Sequence, residues 1–163
     1  MRPRRDRTLA GMTYNTADAQ QGLLDQVAAA ADEVGVALAA LGEAYELLDE
    51  ATGDRLEEQL FRPVQTAYGR VKRTHAGFAG RHGLPTRTFA PAIRGLPSQG
   101  VRGFVDAAVE ALARADLTLG TLQDSLLPVE VGDAELRAGL SEVRRLIGDV
   151  PGRARQFVRV LGR

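Results

Sequence analysis

His75 and His82 are the side chains best suited to proton or group transfer near neutral pH, because this 163-residue sequence has no other histidine and no cysteine. The absence of cysteine also excludes thiol nucleophiles, disulfides and thiolate zinc sites. The two histidines are seven residues apart, which places them on one face of a helix but about 10 Å apart along its axis. Two ligands at that separation do not hold one ion, so we predict no metal site and no cofactor.

His75 raises a second chemical hypothesis, which is phosphotransfer. That chemistry also uses a histidine on a helix of a four-helix bundle, and Lys72 and Arg73 supply cations beside His75. In histidine phosphotransfer proteins a lysine and a glycine follow the histidine by three and four residues, whereas Phe78 and Ala79 stand there in this chain. We therefore claim no resemblance to that family, and a phosphotransfer role of His75 is kept as an alternative function.

Basic residues form the second chemical group, and they are concentrated in one part of the sequence. Residues 61–103 contain eight basic residues and no acidic one, whereas residues 16–60 contain eleven acidic residues and only Arg55 as a base. A basic surface attracts anionic partners such as phosphate, nucleic acid or an acidic protein. The predicted partner-binding or anion-binding residues are Arg70, Lys72, Arg73, Arg81, Arg87, Arg94 and Arg102.

The elements that carry these residues have the period of an α-helix. Between residues 16 and 51, apolar side chains such as Leu24, Val27, Ala31 and Val34 recur at alternating spacings of three and four, which puts them along one side of a helix. Three later segments repeat this pattern. We predict helices over about 16–51, 54–82, 98–127 and 133–161, with a long loop over 84–97.

Local signals predict where these helices begin, bend and end. Asp54 resembles the first residue of a capping box, Gly83 occupies the position of a left-handed C-cap, and Asp133 opens the fourth helix. Pro63 should kink the second helix or mark its true start. Pro151 should bend the fourth helix without dividing it, because the apolar pattern keeps its phase across this residue.

Four amphipathic helices of similar length predict an all-α fold, an up-down-up-down antiparallel four-helix bundle with coiled-coil-like packing. Residues 16–163 would form this single helical-bundle domain, and residues 1–15 a disordered basic arm. A sustained apolar seam is equally typical of a coiled-coil partner, so a homo-oligomer remains an alternative. No apolar run reaches the roughly 18 residues of a membrane span, and the lack of cysteine favours a cytoplasmic location.

This topology would separate the charges into a basic pole and an acidic pole. With the bundle divided near Val34, Gly69, Ala113 and Val143, one half would carry 17 basic and 8 acidic residues, and the other half 4 and 13. Dipole complementarity and pairing between neighbouring helices explain part of such a pattern without any partner. A basic pole that receives an anionic partner, or head-to-tail assembly of unlike poles, would explain it as function.

From these observations we predict a non-catalytic helical-bundle interaction module that binds a protein partner or associates with itself. The alternatives are histidine phosphotransfer at His75 and non-specific nucleic-acid or anion binding at the basic pole. The long loop has two interpretations as well. Phe89 and Ile93 either plug the end of the core or belong to a binding element.

Overall fold

The computed structural model describes the backbone of residues 4–90 and 100–162 and the side chains of residues 16–90 and 100–162. Within these ranges the protein is all-α, with no strand, and none of the helices is both long enough and apolar enough to cross a membrane. A π-helical turn, Glu57–Phe61, connects the second helix directly to the third. The helices are α1 Arg4–Glu46, α2 Glu50–Leu56, α3 Arg62–His82, α4 Gly100–Asp124, α5 Leu127–Glu130, α6 Ala134–Gly148 and α7 Val150–Leu161.

Two of the predicted helix starts differ from the structure. The first helix begins at Arg4, so the backbone of residues 4–15 is helical where the sequence had indicated a disordered arm. The second begins at Glu50 rather than at Asp54, because Asp49 is its N-cap and accepts a hydrogen bond from the Thr52 backbone N–H at 3.3 Å. The predicted caps at Gly83 and Asp133 are confirmed: Gly83 has φ 65°, and the Asp133 carboxylate accepts from the Leu136 N–H at 2.8 Å.

Both prolines inside the helical patterns coincide with local changes of the helix. The π-helical turn ends two residues before Pro63, where the missing N–H and the proline ring disturb ordinary α-helical hydrogen bonding. Pro151 lies in the first turn of α7, a position that tolerates proline. The expected single bent helix is therefore divided into α6 and α7 at Asp149.

Side-chain contacts give the directions of the first three long helices. The Gln20 amide of α1 lies 3.3 Å from His82 Nδ1 at the end of α3, and it donates to the Val131 carbonyl, directly after α5, at 3.1 Å. Farther along α1, Glu33 accepts a hydrogen bond from Arg114 of α4 at 3.0 Å. α1 is therefore antiparallel to α3 and also to α4, so α3 and α4 run in the same direction.

The last long segment runs antiparallel to α3 and α4. At the start of α6, Asp133 contacts His82 at the end of α3, and farther along α6 the Thr74 side chain of α3 touches Gly139. The chain thus runs up, down, down and up, and the predicted up-down-up-down order is wrong. The most extensive helix contact is between α1 and α4, followed by that between α3 and α6.

The length of the connection between α3 and α4 explains this topology. Seventeen residues separate the two helices, and an extended chain of that length reaches about 56 Å, which exceeds the roughly 37 Å length of the 25-residue α4. Its described part, residues 84–90, is called the strap here. The strap lies against α1 and α3, because Arg87 donates to Asp32 at 2.9 Å and the Phe89 ring is 5.1 Å from that of His75.

The core lies between these helices and follows the predicted seams in most places. Leu24, Val27 and Val34 are fully buried, whereas Tyr45, which continues the same apolar spacing near the end of α1, is 40% exposed. α1 also buries a second row of mostly small residues that the seam did not include. This row consists of Leu23, Ala30, Ala37, Ala40 and Ala44, and it exists because α1 packs against both α3 and α4.

The observed topology removes the predicted separation of charge. The basic end of α3 meets the acidic start of α6, and the basic α7 contacts the π-helical turn, which contains Glu57 and Glu58. With the described residues 16–90 and 100–162 divided near Val34, Gly69, Ala113 and Val143, one half carries seven basic and ten acidic side chains and the other carries eight and ten. The predicted basic and acidic poles are therefore wrong, and charge has to be considered surface by surface.

Candidate functional site

Three of the predicted binding residues lie close together on α3. Arg73 is exposed, and Arg70 and Lys72 are half-buried. None of them forms an ion pair with any residue of the described ranges. We call Arg70, Lys72 and Arg73 the α3 face. α3 itself contains no acidic residue, so no carboxylate of its own helix neutralises this surface.

The surroundings hold the three cations in different ways. The Lys72 ammonium lies 4.2 Å above the Tyr68 ring, a cation–π contact that does not neutralise its charge. Arg70 and Arg73 line a shallow cleft with Glu142 of α6. Glu142 is already held by Arg145, at 2.7 and 3.0 Å, and this hydrogen bond is the main cause that lowers the pKa of the Glu142 carboxyl, with a smaller contribution from the charge of Arg70.

The other predicted binding residues are not part of this surface. Arg81 is bound by two carboxylates of the α6 start, and Arg87 is bound by Asp32 and stacks 4.7 Å from the Phe89 ring. Arg102 lies at the opposite end of the molecule, beside the end of α7. Arg94 lies outside the described residues, as does Ile93 of the predicted loop plug.

His82 belongs to a hydrogen-bonded network at the junction of α1, α3 and α6. Its Nε2 lies 2.9 Å from Asp133 Oδ2, and its Nδ1 faces the Gln20 amide. Asp133 also accepts a bidentate pair from Arg81 at 2.7 and 2.9 Å. The hydrogen bond from Arg81 is the first cause that holds the Asp133 pKa far below its usual range, assisted by the Leu136 N–H and by His82.

His75 has an apolar environment although it shares the helix and the face of His82. It is 3% exposed, and its Nδ1 finds no hydrogen-bond partner within the described part of the chain. Phe89 of the strap covers it edge-on. Burial lowers the pKa of the His75 imidazole, the Arg87 charge lowers it further, and Asp25 acts in the opposite direction. Phe89 is half-buried against the core, where it contacts His75.

The two histidines therefore form separate environments rather than one site. His75 and His82 have no partner residue in common, and no group of three histidine, cysteine or acidic side chains in the described ranges is arranged to hold a metal ion. A phosphoryl donor cannot reach His75 in this conformation, because the ring is covered by the strap. Among the predicted binding residues, those of the α3 face lie together on one helix without an ion pair to a described residue, and Arg102 is exposed elsewhere on the molecule.

A second cationic surface was not found from the sequence. Arg55 of α2 and Gln59 of the π-helical turn face Arg153, Gln156 and Phe157 of α7 across a cleft. These residues are about a hundred positions apart in the sequence, and only the pairing of α7 with the π-helical turn brings them together. The one available signal was the spacing of Arg153, Gln156, Phe157 and Val160, which places them on one face of a helix.

The network around Asp133 was also missed in part. Asp133 was predicted as the start of a helix, and that role is confirmed. Its second role, as the acceptor for both Arg81 and His82, depends on the antiparallel packing of α3 and α6 and leaves no mark in the local sequence.

Comparison with known proteins adds no family to these observations. No protein-family model, no curated protein and no solved structure matches the chain significantly.

Proposed function

We propose that the protein is a non-catalytic interaction module, a four-helix bundle built from α1, α2–α3, α4 and α6–α7, which binds an acidic protein partner through the α3 face. One observation carries this proposal. Arg70, Lys72 and Arg73 form no ion pair with a described residue, although Arg81 and Arg87 of the same basic stretch are each paired. Unpaired cations on a rigid helix are available to the carboxylates of another protein.

The chemistry of the α3 face favours a protein partner over a nucleic acid. Proteins that bind single strands without base recognition combine cations with exposed aromatic rings on which bases stack. The aromatic residues of α3 are Tyr68 and Phe78, which are 7% and 0% exposed. The face therefore offers charge without a stacking surface, and glutamate-rich or aspartate-rich protein segments need only the charge.

A binding experiment with two charge-matched variants tests the proposal. The probe is fluorescently labelled poly-L-glutamate at about 100 mM salt, followed by anisotropy, and a labelled single-stranded oligonucleotide of equal charge serves for comparison. The variant R70E/R73E reverses two charges of the α3 face. The control R155E/R159E makes the same change of charge on α7, where both arginines are exposed.

We expect R70E/R73E to weaken poly-L-glutamate binding at least tenfold, and R155E/R159E to weaken it less than threefold. Equal losses in both variants would mean diffuse attraction by the whole molecule and would contradict the proposal. Tighter binding of the oligonucleotide than of poly-L-glutamate, lost in R70E/R73E, would assign the face to nucleic acid instead.

The acidic partner can also be a second copy of the chain, because carboxylates are exposed along the end of α1 at Glu43 and Glu46. Light scattering coupled to size-exclusion chromatography at about 50 and 500 mM salt distinguishes this case. The Debye length falls from roughly 14 to 4 Å over that range. An assembly that dissociates with salt and is absent in R70E/R73E would identify the second copy as the partner, whereas a monomer at both salt concentrations would leave the face free for a different protein.

A further inference from the structure

The cleft between α7 and the π-helical turn has the composition of a ligand site. It has a volume of about 390 Å³ and is lined by Arg55, Gln59, Arg153, Gln156, Phe157 and Val160. This volume falls within the range of about 300 to 1,000 Å³ that is typical of small-molecule sites. The cleft is at the opposite end of the molecule from His82, and it shares no residue with the α3 face.

The lining combines polar and apolar groups. On one wall, Arg55 and Gln59 are four residues apart and share a helix face. On the other wall, Arg153 and Gln156 present a second guanidinium and a second carboxamide. The apolar lining residues are Phe157, which is 4% exposed, and Val160, which is 42% exposed. A ligand in this cleft would meet both hydrogen-bond donors and an aliphatic and aromatic surface.

The two guanidinium groups form no ion pair with the carboxylates that the structure describes. Neither Arg55 nor Arg153 forms an ion pair with a residue of the described ranges, whereas Arg144 on the adjoining α6 is held by Asp116 at 2.9 Å. Arg55 acts on Asp49 only through its charge, as the weakest of the causes that lower the pKa of that carboxyl. Guanidinium groups bind carboxylates and phosphates with two parallel hydrogen bonds, so a pair of free ones suits an anionic head group.

We infer that this cleft binds a small amphiphilic anion, with a carboxylate or phosphate head between Arg55 and Arg153 and a short aliphatic tail against Phe157 and Val160. The two glutamines supply further donors to the head group. The inference stands apart from the proposed role of the α3 face, because it depends on different residues at a different end of the molecule.

Isothermal titration calorimetry on the full chain tests the site with four probes. Octanoate and octyl phosphate carry both the tail and an anionic head. Octanol keeps the tail without the charge, and inorganic phosphate keeps the charge without the tail. We expect at least one of the two charged amphiphiles to bind at least tenfold more tightly than either octanol or inorganic phosphate, and their ranking distinguishes a carboxylate ligand from a phosphate ligand.

Three variants assign the binding to this cleft. R55Q and R153Q should each weaken the binding of the tighter of the two charged amphiphiles at least tenfold. R155Q is the matched control, because Arg155 is an exposed arginine of the same helix that does not line the cleft, and it should change the affinity less than twofold. Circular dichroism confirms that each variant retains its helix content.

Several outcomes would overturn the inference. Equal binding of octanol would reduce the cleft to an apolar patch, and equal binding of inorganic phosphate would reduce it to an anion site without a tail. If R155Q reduced the affinity as much as R55Q and R153Q, the overall charge of α7 and not the cleft would account for the binding. A variant V160S that left octanoate affinity unchanged would remove the tail from the proposed pose, and failure of both charged amphiphiles to bind at millimolar concentration would remove the site.

Discussion

α3 is held by two different kinds of contact along its length. Around Thr74 and His75 the contacts are steric, with Gly139 of α6 against Thr74 and Phe89 against His75. One heptad later, around Arg81 and His82, they are charged hydrogen bonds to Asp133. The sequence offers a histidine on the same helix face in both places, so the neighbouring elements alone decide whether that imidazole is enclosed or hydrogen-bonded.

This difference predicts two distinct responses to the environment. Packing contacts are insensitive to salt, whereas ion pairs that are partly exposed weaken as salt screens them. A buried imidazole resists protonation, whereas a carboxylate held by a guanidinium resists losing its charge. The two segments of α3 should therefore fail under different conditions, and the following substitutions test this.

Disrupting the steric segment should have the largest effect. A Cβ at position 139 would lie 2.7 Å from Thr74 Cγ2 and closer still to its Oγ1. Both atoms belong to a short β-branched side chain whose Cβ is itself 3.0 Å away, so a change of rotamer does not remove the clash. We expect G139A to lower the free energy of unfolding by about 3 kcal/mol, independently of salt, as measured by urea denaturation. G22A is the control, since a Cβ there meets nothing within 4 Å, and it should stabilise the helix by up to about 1 kcal/mol. Equal effects of the two variants would contradict the close approach of α3 and α6.

Removing the charged segment should have the next largest effect. D133A deletes the N-cap of α6 and the acceptor of Arg81 and His82, and we expect a loss of about 2 kcal/mol. D133N keeps a side-chain oxygen that can cap α6 but removes the charge. Its loss of unfolding free energy should be about half that of D133A. At about 500 mM salt, the free energies of unfolding of D133N and of the unmodified protein should differ less than they do at low salt. If the loss of stability in D133N does not depend on salt, packing and not charge stabilises this segment of α3.

On acidification, the two segments of α3 should lose their contributions to stability in different pH ranges. The folded-state pKa of His75 lies below its unfolded value, which is near 6.5. As the pH falls below about 6.5 the unfolded chain takes up the proton first, so stability contributed by the neutral imidazole decreases until the pH passes the folded pKa. The folded pKa of Asp133 is also lowered, but its stabilising effect persists at mildly acidic pH and is lost only as the pH falls below about 4.

Thermal unfolding between pH 7.5 and 3 measures both transitions. H75L should abolish the decrease in stability just below pH 6.5 and retain the decrease below about pH 4. D133N should retain the first decrease and abolish the second. The idea fails if H75L and the unmodified protein lose stability in parallel from pH 7 to 5.

Loosening the strap should have the smallest effect. Arg87 and Asp32 are about half exposed, and ion pairs of this kind contribute about 0.2 to 1 kcal/mol. R87Q should therefore cost less than about 1 kcal/mol at low salt and nothing measurable at high salt. Because the Arg87 charge lowers the pKa of His75, R87Q should raise the folded-state pKa of His75, so that the decline of stability below about pH 6.5 becomes smaller and ends at a higher pH. Unchanged pH dependence in R87Q would show that Arg87 does not act on His75.

The sequence predicted the helical class and most of the seam residues because these depend on local periodicity. Leu24, Val27 and Val34 are buried as expected, since the helix period alone places them on one side. The helix directions were wrong because the 84–97 loop was treated as a cap on one end of the core, although its length is also that of a crossover. The charged poles were wrong as a direct consequence, since they were calculated from those directions.

The candidate sites show the same division between local and distant information. The cations of the α3 face are neighbours in the sequence and were predicted together. The partners that occupy Arg81, namely Asp133 and Glu135, are more than fifty residues away, and the burial of His75 depends on Phe89 of the strap. The cleft of Arg55 and Arg153 depends on a contact of α7 with the π-helical turn, for which no periodicity gives a signal.

The parallel arrangement of α3 and α4 also has a consequence for how the chain folds. The largest interface of α1 is with α4, whose residues follow α1 in the chain only after α2, α3 and the crossover. Folding rates fall as the sequence separation of contacting residues grows, so this protein should fold more slowly than a helical protein of its size in which consecutive helices pair. During synthesis the alanine-rich row of α1 must wait until residue 124 has left the ribosome, and until then it is an apolar surface available to chaperones.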